Sequence, residues 1–258
     1  MSFVAVFEDS KLISAVFRAV ANISSSANIY VGGSGIRFVS FDAIQVETLE
    51  VRMPQEVFYH YDYITEGDEE TIAFGVDLFG VKRMLPLVKK SDSIMLGLHH
   101  WDVAYFEVRL FRGAYEDQTY IRRFLWRTIG LEEMEAPREG KEVEIGLYGG
   151  EYLISLIDAA RSTGDYLEII TDVEKIKFRT QGELGIFEAP LSGAEEIVQL
   201  FRVEEEVSAR YDLSCLQHVK PLLRHADTVT LMFGRDRPLA LMIHIGQITA
   251  KYILLPRV

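Results

Sequence analysis

Leu78–Leu98 reads LFGVKRMLPLVKKSDSIMLGL, and 135 positions downstream Leu213–Phe233 reads LSCLQHVKPLLRHADTVTLMF. Both stretches open on Leu in the same register. Both then carry Pro (Pro86, Pro221), an apolar pair (Leu87-Val88, Leu222-Leu223), a basic residue (Lys89, Arg224), an Asp (Asp92, Asp227) and an alternating run with strand periodicity. Working outward, Leu12-Ile13-Ser14 returns as Leu153-Ile154-Ser155, and Ile36-Arg37-Phe38 returns as Ile176-Lys177-Phe178. Several matches in the same order, this far apart, indicate a whole domain seen twice. The period is too long for a solenoid unit.

Each half reads as helix, hairpin, further strands, helix, then strands. Residues 11–22 place Leu12, Ile13, Val16, Phe17 and Val20 at amphipathic-helix spacing, leaving a polar face of Lys11, Ser14, Ala15, Arg18 and Asn22. Asn28–Val31 and Ile36–Ser40 flank Gly32-Gly33-Ser34-Gly35, which predicts a glycine-turn hairpin. Strand-like runs follow near 45–52, 58–63, 71–76, 93–98, 102–111 and 119–125, with a helix over 78–90. The second half predicts helices near 151–162 and 213–225, and strands near 166–179, 185–191, 197–209, 228–233, 238–245 and 247–254. Arg127–Lys141, RTIGLEEMEAPREGK, is charged, holds Pro137 and Gly140, and lacks a clean period, so it reads as the connector. The expected fold is α+β: two similar tandem domains of antiparallel sheet with two helices each, spanning 1–126 and 142–258 with the connector at 127–141.

Of the 258 residues 48% are hydrophobic and 26% charged, which excludes disorder, collagen and low-complexity arrays. A single cysteine, Cys215, excludes an intramolecular disulfide and a cysteine-rich zinc site. MSFVAVFEDSK has no basic stretch leading into a long apolar run, and no segment reaches the ~18 apolar residues that span a bilayer, so a cytoplasmic protein is expected. The formal charge of −12 argues against nucleic acid unless the positive charge is gathered on one face. It is gathered by element. The expected helices carry +2 (11–22), +4 (78–90), −1 (151–161) and +2 (213–225), while the remaining residues carry −19. Helices lining one surface would make a positive face on an acidic body, suited to phosphate contact without base reading. The alternative is that these residues simply solvate helix faces.

No catalytic constellation stands out. Gly32–Gly35 lacks the Lys-Ser/Thr of a phosphate loop, and a strand follows where a dinucleotide fingerprint needs a helix. No histidine pair has the i, i+4 spacing with a nearby Glu that a zinc hydrolase uses, and His99-His100-Trp101 reads as a surface turn. Glu132-Glu133-Glu135 and Glu204-Glu205-Glu206 read as solvated charge runs. No cofactor or metal is expected, and the pattern favours a binding protein over an enzyme.

The ending Leu255-Pro256-Arg257-Val258, after Lys251-Tyr252-Ile253-Leu254, resembles the C-terminal motif of DNA sliding clamps of the proliferating cell nuclear antigen (PCNA) family, particularly archaeal ones. Phe41-Asp42, Glu132-Glu133-Met134-Glu135, Gly182-Glu183, the run from Asp227 to Leu231, Phe233-Gly234 and Pro238-Leu239 match in order along the chain. The resemblance implies a trimeric ring without catalytic activity. In it, helices surround duplex DNA, edge strands pair between neighbours, and an ATP-driven clamp loader closes the ring. It also implies tethering of DNA polymerase, flap endonuclease and DNA ligase through short peptide motifs, in a nucleoid-associated cytoplasmic setting. By position, Lys82, Arg83, Arg18, Lys220 and Arg224 are the leading DNA-facing candidates, followed by Lys11, Lys89, Lys90 and Arg161. The partner-peptide pocket would be lined by Phe41, Val46, Met134, Ala136, Pro238, Ile253, Leu255 and Pro256, where Leu255 departs from the small residue usual in the family. Arg122 and Arg123 would face Glu183 or Glu188 of the next subunit. Two other readings remain open: a subunit of a heterotrimeric or checkpoint-type clamp, and a metal-dependent hydrolase using His99 and His100.

Overall fold

Asp77 and Asp212 stand one residue ahead of the two repeated stretches. Asp77 accepts from the Phe79 backbone N–H and Asp212 from that of Ser214, both at 2.7 Å, so each stretch opens as a helix on an aspartate cap. The structure, a computed structural model, describes residues 1–65, 70–100, 103–112, 120–133, 142–172 and 174–257. Their contacts divide them into two units, one from Met1–Ala43 with Leu49–Met134, the other from Ile44–Thr48 with Glu135–Val258.

The first unit runs β1 (Ser2–Phe7), α1 (Ser10–Ile23), β2 (Ser26–Gly32), β3 (Gly35–Phe41), β4 (Glu47–Met53), β5 (His60–Ile64), β6 (Thr71–Asp77), α2 (Leu78–Met84), β7 (Asp92–His100), β8 (Ala104–Arg112) and β9 (Tyr120–Ile129). The second repeats that order: β10 (Val143–Tyr148), α3 (Glu151–Arg161), β11 (Tyr166–Thr171), β12 (Lys175–Gly182), β13 (Gly185–Ser192), β14 (Val198–Val203), β15 (Ser208–Asp212), α4 (Leu213–Leu216), α5 (Lys220–Leu223), β16 (Thr228–Phe233), β17 (Leu239–Ile245) and β18 (Ile248–Leu254). Pairing duplicates as well. The first unit has the runs β4-β3-β2-β6 and β9-β8-β7-β1-β5, and the second has β13-β12-β11-β15 and β18-β17-β16-β10-β14. In the first unit the two runs join through β6 and β9, at Gly75↔Ile129 and Val76↔Thr128.

Several expectations need correcting. The expected strands omit β1 and β10: SFVAVF is a short, nearly continuous apolar run without alternation, and VEIGLY alternates only over Val143, Ile145 and Leu147. The run 166–179 is a hairpin: the Asp172 carboxylate accepts from the Glu174 and Lys175 backbones at 2.9 Å and turns the chain. The run 197–209 divides around Glu204-Glu205-Glu206. Helix 78–90 is α only to Met84, then one 3₁₀ turn to Leu87, because Pro86 donates no backbone hydrogen bond. Helix 213–225 is three short pieces for the same reason at Pro221. The expected connector loses Arg127, Thr128 and Ile129 to β9, and His99 and His100 end β7 rather than forming a turn. Ser14 and Ala15 are buried, since α1 packs on α2 as well as on the sheet.

The start of the post-β9 segment is fixed by Asn28 on β2. Its amide donates to the Glu132 carbonyl (2.8 Å) and accepts from the Glu132 N–H (3.0 Å), as a neighbouring strand would. On the other side of β9, Glu107 is fully buried and bound by Arg109 on its own strand, Arg123 on β9 and His99 on β7. Burial alone would raise the Glu107 carboxyl. The hydrogen bonds from Arg109 and Arg123, with the His99 charge, outweigh it and hold the group below the ordinary glutamate value. A lowered folded-state pKa means the cluster stabilises at and above the ordinary glutamate range, and that this contribution is lost as pH falls through the lowered value. The expected result is that Glu107→Gln flattens the acid limb of the urea-stability profile below pH ~4.5; identical acid limbs in variant and parent would contradict this.

Candidate functional site

α1 starts at Asp9, whose carboxylate accepts from the Lys11 (3.0 Å) and Leu12 (3.1 Å) backbone N–H groups. Ile13, Val16, Phe17 and Val20 then face the sheet, leaving Lys11, Arg18 and Asn22 exposed. Arg18 and Lys82 meet: with Ala21, Asn22, Leu85 and Pro86 they line one open groove of about 200 Å³ between α1 and α2. The sequence reading grouped Arg83 with them, but Arg83 lines a different groove. Its guanidinium lies over the Phe79 ring, 4.6 Å from the centroid. With Leu87, Phe124, Trp126 and Arg127 it lines a flank groove of about 620 Å³. Gly80 lets that flank form, since a Cβ there would run into the Trp126 indole. Lys89 and Lys90 are exposed in the turn before β7.

In the second unit Arg161 and Arg224 are exposed and Lys220 is mostly covered. Lys220 binds Asp158 of α3, and Arg161 donates to the Gln217 side chain. These cross-links tie α3 to the broken helix and spend part of the positive charge inside the unit.

Of the residues expected to line a partner pocket, Phe41 belongs to the first unit and is 8% exposed. Met134 and Ala136 lie outside the described residues. In the second unit Pro238 and Ile253 are buried, while Val46, Leu255 and Pro256 are half-buried. The structure brings Val46 and Leu255 together: the Leu255 N–H donates to the Val46 carbonyl at 2.8 Å. Two residues on, the Arg257 N–H donates to the Arg210 carbonyl at 2.7 Å, and its guanidinium pairs with Asp212 at 3.7 Å. Pro256 is thus held between two fixed points. Beside Val46, Gln45 takes a left-handed φ of 55°, and Ile44 is 78% exposed.

The expected edge residues divide in two. Arg122 and Glu183 are exposed, whereas Arg123 is bound to Glu107 and Glu188 pairs with Arg179 (3.5 Å) and Lys177 (3.9 Å) of its own unit. β13 pairs only with β12, and β9 takes β6 only at Thr128 and Ile129, so among the described residues both strands present a backbone edge without a strand partner. Leu184, in the turn before β13, and Ile186 on β13 are 86% and 56% exposed. The sequence reading missed three groups: the Phe79–Trp126 groove, the Asn28–Glu132 pairing, and a buried set of Glu47, His218 and Tyr252. None of the three left a signal in the sequence, since their partners lie on different elements. Among the described residues no three His, Cys, Asp or Glu side chains are placed to hold a metal ion, and no helix is long and apolar enough to cross a membrane.

No protein-family model matches the chain. It is 28% identical to the DNA polymerase sliding clamp of Thermococcus fumicolans over 266 aligned positions, covering 100% of this chain and 99% of the relative. The crystal structure of PCNA from Thermococcus kodakaraensis superposes with a TM-score of 0.82 at 20% identity, covering 99% of this chain and 100% of the other. The fold is that of the PCNA sliding clamps. A PCNA2–PCNA3 complex from Sulfolobus tokodaii gives a TM-score of 0.83 at 20% identity, covering 98% and 99% of the two chains. The clamp fold accounts for the duplication: each half supplies one pair of helical segments and one set of nine strands.

Proposed function

We infer that this chain is a DNA polymerase sliding clamp, a processivity factor that encircles duplex DNA and tethers replication and repair enzymes. The observation that carries this reading is full-length similarity to sliding clamps, with both ends of the alignment in step. The tethered enzymes would include DNA polymerase, flap endonuclease and DNA ligase, and an ATP-driven loader would place the ring. The clamp itself would perform no chemistry. Its DNA contacts would be to phosphate, non-specific and salt-dependent, which is what sliding requires.

The edges favour pairing of the chain with its own copies. β9, YIRRFLWRTI, carries three arginines and no acid, while the edge strand β13 with its flanks, residues 183–196, carries Glu183, Glu188, Glu195 and Glu196 and no base. One edge is positive with an apolar flank, and the other is negative with exposed Leu184 and Ile186. Such edges complement each other head to tail, and closing the ring covers both open strands. Arg122 and Glu183, exposed as they are, serve this pairing better than Arg123 and Glu188.

Light scattering on the purified chain over a concentration series tests the reading. A species of three times the chain mass is expected. A monomer at every concentration, together with assembly only on mixing with related clamp chains, would replace self-pairing by the heteromeric ring. Leu255→Ala is expected to change the affinity of a partner peptide about tenfold or less without altering that mass, since it trims one anchor of a docking surface; unchanged affinity would count against the Val46–Leu255 wall.

A further inference from the structure

Three carboxylates are buried among the described residues: Asp92, Glu107 and Glu47. Asp92 caps a turn by accepting from the Lys89 N–H at 2.8 Å, and Glu107 joins three strands through its arginines and His99. Glu47 has no such role in the fold of a strand end. It is the first residue of β4 and 4% exposed. Its carboxylate meets His218 Nδ1 at 2.9 Å through Oε1 and at 3.1 Å through Oε2, and its Oε2 accepts from the Tyr252 hydroxyl at 2.8 Å. Sinking a carboxylate this deep is unfavourable unless its partners hold it in place.

What Glu47 holds follows from its neighbours. Ile44–Thr48 packs with the second unit. At Val46 it is tied by backbone to Leu255, and at Glu47 by side chain to Tyr252 of β18 and to His218. Val46 and Leu255, which flank β4 and β18, are half-buried and form the wall where docking is proposed, while Glu47 and Tyr252 within those strands are buried. His218 sits in the 3₁₀ turn between α4 and α5, next to the segment bearing Lys220 and Arg224, with its side chain 27% exposed. One carboxylate thus joins the wall of the docking surface to the basic helical segment.

We propose that Glu47 is a positioning residue: through Tyr252 and His218 it latches Ile44–Thr48 onto β18 and sets the shape of the Val46–Leu255 wall that receives partner peptides. The assignment of that wall to partner docking rests on the sliding-clamp reading; the latch itself does not. Removing the carboxylate loosens the segment from below while leaving every outward side chain of the wall intact. Glutamine keeps an oxygen for Tyr252 and an amide toward His218, so Glu47→Gln retains most of the latch, and Glu47→Ala loses it. Tyr252→Phe removes one hydroxyl from a packed core position and tests the same link if Glu47→Ala does not fold.

Two measurements on the full chain decide it. The first is amide hydrogen exchange at Val46–Thr48 and Leu255. Glu47→Ala and Tyr252→Phe are expected to exchange about tenfold faster there than the parent, with Glu47→Gln close to parent and the β16–β17 amides unchanged. The second is binding of a fluorescein-labelled synthetic peptide with an aromatic anchor, chosen to match the apolar side chains of Val46, Ile253 and Leu255. Its Kd is expected to rise about tenfold in Glu47→Ala and to return to within about twofold of parent in Glu47→Gln. Parent-like exchange in both Glu47→Ala and Tyr252→Phe overturns the latch. Faster exchange with unchanged peptide Kd overturns its role in shaping the wall. A parent chain that does not bind the peptide while the variants still exchange faster overturns the docking reading and upholds the latch.

Discussion

Arg18→Glu with Lys82→Glu is expected to abolish measurable retention of the chain on linear duplex DNA, where no topological link holds it, at physiological salt. The two side chains come from α1 and α2 and line one groove, so under the sliding-clamp reading both would meet the same stretch of phosphate backbone. Each lost phosphate contact lowers the slope of log K against log salt by about one, and reversal adds repulsion from a polyanion, so the double variant loses roughly two units of slope. Lys220→Glu should do less, because Lys220 is bound to Asp158 and mostly covered. Arg83→Glu should disturb the flank at Phe79 and Trp126 more than the groove, since Arg83 lies over the Phe79 ring. The measurement is retention half-life against salt for the three variants. Retention in the double variant equal to that of the parent would remove the groove from the DNA path. A larger loss in Arg83→Glu would return that path to the flank.

The duplication was legible because it is written in residues that cannot easily change without changing the fold. Pro86 and Pro221 break the second helix of each half at the same point, and Asp92 opens, and Asp227 immediately precedes, the strand that follows. The caps that start those helices, Asp77 and Asp212, lie just outside the matched stretches and were read past. β1 is a nearly continuous apolar run with no period to read, β10 offers only three alternating apolar positions, and the ladders that define both come from distant residues such as Leu98 and Leu231. Charge by element predicted the basic helices but not their partners. Whether Lys220 is available depends on Asp158, 62 positions away, and whether Arg123 is available depends on Glu107 across a strand pair. Glu47 shows the same limit most sharply, since its partners lie 171 and 205 positions away. Sequence spacing speaks for neighbours on one element, and long-range polar pairing has no such spacing to betray it.

Phe17→Ala is expected to cost the first unit about 3–5 kcal/mol, the range for emptying a buried aromatic site. Phe17 is 1% exposed and packs edge-on against Phe38 of β3, at 5.7 Å between centroids and 79° between planes. The site cannot collapse cheaply, because it lies between a helix fixed at its start by Asp9 and a strand paired with β2 along its length. Phe17→Leu keeps most of the volume and should cost less than about 1.5 kcal/mol. Both tryptophans, Trp101 and Trp126, fall within the first unit's stretch of chain, so indole fluorescence against urea reports that unit by itself. An Ala variant with the same m-value and a midpoint lowered by the full amount is the expected result. A loss under about 1 kcal/mol would mean that α1 re-seats on the sheet. In that case Arg18, the next residue, would move away from Lys82, and DNA retention would fall while stability held. The two measurements together therefore separate α1 as a structural support from α1 as the carrier of the groove.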